Sequence, residues 1–535
     1  MGPIFFDIAI KLGVRKIRKS VALLFFSALM SFSLVAQAAD IYDPGSIVTN
    51  SDDFVFTVGW SNPFMHSTLS TQPPGVDETG VRGEWTYCVS TKDPACDFQK
   101  AKWGANERGI LGMSVLPYCS NYLQENCVES FEISYQGKPF APAKHLRMLS
   151  TGLTQAPDKD LDFLGGYSAS IWDDSNLTNS LNRSYLTNVV YSLFFNPDTK
   201  KFVITNIALG ISPYREVSGN FKAPSIDPNL PPNARVEWGG DRTTLWAENG
   251  RAGIAMDFPS DARYRITTRL TNKITGWYKA RLQDPIVGIE KFSSSNNRVT
   301  IEGKPVSVPT FAYKKSKKEF APKENKWWQN NGQSNSTTPA ASDQSDIFEY
   351  IDYFRPLVSD KVAGFNTLWT VNSTNWGNEN KCLMDSSRVV GIVSTNAMGY
   401  NGNSPKYKDG TLNYQVAGMH YMPDGTSLVE GSYDLLIRSD AARCLYGFSN
   451  APIQATISIT GEQNQKVATT AMTEGNGWIK LSAYGFNFSD PTISVKLSQA
   501  AAQVKKNSTI TCTKGKIIKK VTGVTPKCPA GFKKR

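Results

Sequence analysis

Asp158, Asp160 and Asp162 place carboxylates at every second position of one short segment, and Asp173-Asp174 adds a second acidic pair. Oxygen donors at alternate positions are how a calcium loop begins. Counting from Asp158, however, Phe163 stands at the sixth position, where such a loop needs glycine, and Ala169 at the twelfth, where it needs glutamate. A solvated acidic loop is the plainer reading. Weak calcium binding is the only metal or cofactor chemistry the chain suggests. Paired carboxylates also run glycoside hydrolysis, one as acid and the other as base or nucleophile. There is no Gly-x-Ser-x-Gly elbow, no His-Glu-x-x-His and no phosphate-binding Gly-x-x-x-x-Gly-Lys. His66, His145 and His420 are the only histidines and lie far apart, each reading as a packed or polar residue. No catalytic residue is assigned.

Aromatic residues offer a second chemistry, with 12 tryptophans and 21 tyrosines in 535 residues. Flat faces beside Asn or Asp donors suit sugar rings. Trp238, in Trp238-Gly239-Gly240-Asp241, Trp376, in Trp376-Gly377-Asn378, and the pair Trp327-Trp328 fit that description. Core packing is the competing role for each, and for Trp327-Trp328 it means docking on a neighbouring domain.

The elements that would position such residues read as β nearly throughout. Residues 186–196 and 202–209 are β-branched and aromatic runs separated by Pro197-Asp198-Thr199-Lys200-Lys201, a hairpin signal. Residues 53–60, 263–270 and 298–308 read as strands, as do 430–438, 455–461, 466–472, 478–484 and 491–497. One short helix is expected at 347–357. Gly431-Ser432-Tyr433 is loosely like the tyrosine corner of Ig-like sandwiches, although Cys444 lies too far on for the usual spacing. The fold class is therefore all-β, with two or three β-sandwich-like domains.

Residues 1–38 have the pattern of a secretory signal. Lys11, Arg15, Lys16, Arg18 and Lys19 precede a charge-free run at 20–35, and Ala36-Gln37-Ala38 supplies the cleavage site. That run is short for a membrane span, which needs about 20 residues. Residues 39–313 form a β-rich region, one elaborated domain or two, with an internal break near 223–234. Residues 314–345 begin with Lys314, Lys315, Lys317 and Lys318, then turn Asn/Gln/Ser/Thr-rich, and read as a linker. Residues 346–500 read as a β-sandwich.

Eight cysteines in an exported chain argue for four disulfides. Neighbourhood pairs Cys88 with Cys96, Cys119 with Cys127, Cys382 with Cys444 and Cys512 with Cys528. The last of these would staple residues 505–535, a stretch too short to bury a useful core. That tail carries ten cations and no acid. With +4 on the first 39 residues and a total of +11, the body at 40–504 is left near −3. The tail, through Lys514, Lys516, Lys519, Lys520, Lys527, Lys533, Lys534 and Arg535, is thus the candidate for electrostatic attachment.

The tail reads as two short strands around a glycine turn, closed by a cysteine loop. Its runs are Ile510-Thr511-Cys512, Lys514-Gly515-Lys516, Lys519-Lys520-Val521-Thr522 and Pro526-Lys527-Cys528-Pro529, followed by Gly531-Phe532. In this it resembles a short C-terminal module on uncharacterised secreted proteins of actinobacteria. The resemblance implies an exported bacterial protein and no particular reaction. The resulting expectation is a secreted or cell-surface protein with a binding or structural role at the envelope, retained by its tail. A secreted polysaccharide hydrolase is the alternative. The expected partner is an anionic envelope polymer or glycan, with no specific nucleic acid and no membrane span after signal cleavage.

Overall fold

A computed structural model describes residues 42, 46, 52–58, 66–71, 86–102, 109–151, 153–174, 184–230, 236–237, 244–272, 276–330, 336–337, 346–374, 380–385, 388–449, 453–460, 469–488, 492–499 and 508–535. The expected signal segment lies outside them. The fold is all-β, in several sheets, with three α-helices among the described residues. None of these helices is long and apolar enough to cross a membrane.

The strands that matter most are β1 (Ile110–Val115), β2 (Cys127–Tyr135), β3 (Ser184–Asn196), β4 (Lys201–Ser218), β5 (Ala262–Thr271), β6 (Trp277–Lys291), β7 (Asn296–Thr310), β8 (Gly364–Thr374), β9 (Gly391–Thr395), β10 (Gly431–Arg438), β11 (Thr469–Gly475) and β12 (Trp478–Phe486). β3 and β4 form the hairpin expected from Pro197-Asp198-Thr199-Lys200, with Lys201 opening the return strand opposite Asn196. β1 flanks β3 on the far side. A second antiparallel group runs β2–β5–β7–β6.

The strand β6 joins these groups because it bends. Its pairing with β7 slips between Gln283 and Ile286, leaving Asp284-Pro285 as a bulge with Asp284 at φ 56°. Pro285 has no N–H to give to a ladder, which is why the register breaks there. Beyond the bulge, residues 286–291 pair with β7. Before it, Trp277–Arg281 pairs with β8 on one side and residues 277–280 pair in parallel with β9 on the other. β8 also pairs with β4, so hydrogen bonding runs from β1 through β3, β4, β8, β6, β9, β10 and β12 to β11.

This continuous sheet is a wall with a core on each face. Successive side chains of a strand point to opposite faces, and the wall strands use both. Tyr278, Ile392 and Leu436 enter the core built by β1–β7, where Trp369 and Val371 of β8 also lie. Trp277, Val393, Leu435 and Ile437 enter a second core, completed by Leu412, Tyr414 and Val416 of strand Thr411–Ala417 and Ile493 and Val495 of strand Thr492–Gln499. Residues 391–395 are buried throughout, which a strand covered on both faces requires.

The segment 314–345 is held at several points. Strand Ala312–Ser316 pairs with Asp53–Thr57, and helix α1 (Pro322–Asn330) follows. Glu324, completely buried, accepts from Lys315 Nζ at 2.8 Å, from the Ala321 N–H at 2.7 Å and from the Tyr353 hydroxyl at 3.2 Å. Helix α2 (Asp346–Phe354) realises the helix expected at 347–357. Its Ile347, Tyr350, Ile351 and Phe354 repeat at helical spacing and are all fully buried. Helix α3 (Ser439–Tyr446), not expected from the sequence, ends on Gly447 at φ 65°, a left-handed cap that glycine adopts without a Cβ clash. It carries Cys444 to Cys382. The four disulfides are Cys88–Cys96, Cys119–Cys127, Cys382–Cys444 and Cys512–Cys528, the pairs suggested by sequence neighbourhood. Near the break expected at 223–234, Ser225–Ile226 pairs with Val236–Glu237.

Candidate functional site

The tail folds as a three-stranded antiparallel sheet with strand Ser508–Lys514 in the centre, Ile517–Gly523 on one side and Lys533–Lys534 on the other. Gly515, at φ 60°, turns the hairpin. Residues directly opposite in an antiparallel sheet share a face, so the register sorts the side chains. Cys512 lies opposite Lys519 and Lys534, and shares its face with Ile510, Lys514, Ile517 and Val521. This face is covered at its centre: Cys512 is fully buried and bonded to Cys528, and Lys519 lies 5.4 Å from the Phe532 ring centroid.

The opposite face carries Thr509, Thr511, Thr513, Ile518, Lys520, Thr522 and Lys533. The Arg535 N–H donates to the Thr511 carbonyl at 2.9 Å, which sets Arg535 beside Thr511 on this face. One row across the sheet therefore reads Lys520–Thr511–Arg535, and the next reads Ile518–Thr513–Lys533. The Thr509 and Thr522 hydroxyls meet at 2.7 Å. Lys514, Lys516, Lys519, Lys520, Lys527, Lys533, Lys534 and Arg535 are all exposed, and no acid lies between 505 and 535 to neutralise them.

The remaining residues singled out from the sequence sit elsewhere. Trp238 and Trp376 lie outside the described residues, and of Trp328 only the backbone, in α1, is described. Trp327 is buried against Tyr350, Tyr353 and Phe354, with ring centroids 5.0, 5.2 and 5.6 Å away, so it packs against α2. Asp158 closes a tight hairpin with Phe163. Its carboxylate accepts from the N–H groups of Asp160 and Leu161 and from the Thr91 hydroxyl, which pull its pKa below the usual range despite the opposing effect of desolvation. The Asp160 carbonyl and the Asp162 carboxylate both face Lys201 Nζ. Among the described residues no group of three acids, histidines or cysteines is placed to hold a metal ion.

Two polar clusters escaped sequence reasoning. His420 Nδ1 is bonded to Asp360, whose other carboxylate oxygen accepts from the His420 N–H at 3.0 Å. The Asp–His orientation is that of a catalytic base, but the His420 ring is mostly buried and Nε2 is sealed from solvent. The pair ties residues 360–362 to 420–421. The second cluster sits on the bulge of β6. Asp434 of β10, completely buried, accepts from the Ser482 hydroxyl at 2.5 Å, the Tyr484 hydroxyl at 2.8 Å and the Asp284 N–H at 3.1 Å. The half-exposed Asp284 carboxylate meets Lys480 and, at 2.8 Å, Arg263, which also holds Glu302. Nothing in their sequence neighbourhoods signals that these aspartates meet.

Their environments push the two aspartates apart. Burial raises the Asp434 pKa, its hydrogen bonds only partly offsetting this. Burial also works against the Asp284 carboxylate, but hydrogen bonding and charge from Lys480 and Arg263 prevail and lower its pKa. A raised folded pKa stabilises fully below the unfolded value and is lost as pH rises through the folded one. A lowered pKa does the reverse on acidification. Asp434→Asn is therefore expected to flatten the fall in stability as pH rises above about 4, and Asp284→Asn to remove a gain that the rise toward about 4 brings from more acid pH. Urea unfolding of both variants across pH checks this, and parallel curves for the two would refute it.

Compared with known proteins, the chain matches no family model and no curated protein.

Proposed function

We propose that this is an exported protein with a binding or structural role at the bacterial envelope, retained there by its basic C-terminal unit. The observation that carries the reading is the tail itself: a disulfide-stapled sheet whose eight described cations are all exposed, with no acid of its own. Four disulfides favour an oxidising compartment outside the cytoplasm. The signal pattern at 1–38 and the resemblance of the tail to a module on secreted actinobacterial proteins support the same address. With the body near −3, retention falls to the tail. The β-rich body is then free to bind glycan, with Trp238 and Trp376 as its proposed stacking residues.

Attachment through displaced counterions predicts a linear fall of log affinity with log salt. The test is binding of the mature chain to isolated cell walls over a salt titration. Loss of binding as salt rises, and its absence when the tail lysines are changed to glutamine, are the expected results. An affinity unchanged between low and high salt would overturn the proposal.

A further inference from the structure

The tail is not a uniform cloud of charge, and its two faces differ in what they offer a partner. On the Cys512 face the centre is closed by the disulfide, and Lys519 leans on Phe532. Lys514 packs along the closing segment, its Nζ 3.3 Å from where a Cβ on Gly531 would stand. On the other face, cations and hydroxyls alternate across the strands, as Lys520–Thr511–Arg535, with Thr513 beside Lys533. Neighbouring strands lie about 4.8 Å apart and alternate residues of one strand about 7 Å apart. Lys520, Lys533 and Arg535 thus stand within about 7–12 Å of one another, with hydroxyl donors between them and no acidic side chain in residues 505–535. Exposed like charges within about a Debye length of one another repel, and a polyanion relieves them.

We infer that the threonine face, with Lys520, Lys533 and Arg535 around Thr511 and Thr513, is a docking surface for a linear phosphodiester polymer of the cell envelope. Phosphate oxygens accept from lysine, arginine and threonine donors alike, and this face supplies all three. The inference rests on the tail-attachment reading above, since export is what makes an envelope polymer rather than nucleic acid the available polyanion.

Two charge-matched triple variants of the mature chain separate the faces: K520Q/K533Q/R535Q on the threonine face and K514Q/K516Q/K519Q on the turn and the cysteine face. Poly(glycerol phosphate) is the probe, single-stranded DNA the comparison, and intact mass confirms the Cys512–Cys528 bond in each variant. The threonine-face triple should weaken poly(glycerol phosphate) binding at least tenfold and reduce the salt slope by about 2, three contacts at about 0.7 each. The other triple should cost less than threefold, and Thr511→Val should reproduce part of the first loss. Equal losses in the two triples would overturn the docking face and leave tail attachment standing. No loss in either would overturn both. Tighter, equally face-dependent binding of DNA would overturn the assignment to an envelope polymer.

Discussion

Trp369→Ala is expected to destabilise the body by about 4 kcal/mol, the middle of the range for truncating a large buried aromatic. Trp369 is completely buried on β8, in the core built by residues from 69 to 301 together with strands of the wall. Its indole N–H donates to the Gly303 carbonyl at 3.0 Å, opposite the β6 bulge. Truncation therefore opens a cavity and removes a donor from a buried carbonyl. The location matters as much as the size. Residue 369 follows the 314–345 segment, yet β8 pairs with β4, β6 and β7. The loss should lower a single denaturant transition and raise amide exchange in β4 and β9 together. Two separated transitions, with β4 protection unchanged, would refute the shared wall.

Replacing Cys382 and Cys444 with alanine is expected to cost a similar amount, about 4 kcal/mol, because this disulfide closes a loop of 62 residues. Cys88–Cys96 and Cys119–Cys127 each close 8, for which the same loop-entropy relation gives about 2.5 kcal/mol. The long loop also encloses β9, strand Thr411–Ala417 and β10, which belong to the wall and the second core. Unfolding of the C382A/C444A and C88A/C96A variants gives the comparison directly. A smaller loss for the first pair than for the second would show that constraint of the unfolded chain is not what this disulfide supplies.

The tail was more legible than the body. Thr509-Ile510-Thr511-Cys512-Thr513 alternates residue by residue, and with the Lys514-Gly515-Lys516 turn the hairpin register follows almost directly. What did not follow was the third strand, Lys533–Lys534, which completes the threonine face. Trp327 and the Asp284–Asp434 cluster were less legible. A tryptophan beside a polar stretch has the same composition whether it stacks on sugar or packs on α2. Asp434 is one acid within the strand read at 430–438, and only the fold brings the Ser482 and Tyr484 hydroxyls to donate to it.

By itself the sequence determined what is local: the β class, the β3–β4 hairpin, the helical face of α2, a tail holding ten of the cations, and a nearest-neighbour suggestion for the cysteine pairs that the fold then realised. Each depends on spacing over a few residues, or on cysteines being nearest neighbours along the chain. Only the tertiary structure decided that β6, β8, β9 and β10 form one wall between two cores. A strand buried on both faces carries no alternation to mark its side, and β8 finds β4 more than 150 residues away. Backbone hydrogen bonding accepts any extended partner. Packing on both faces selects this one, and it is that selection which brings Asp434 to the bulge.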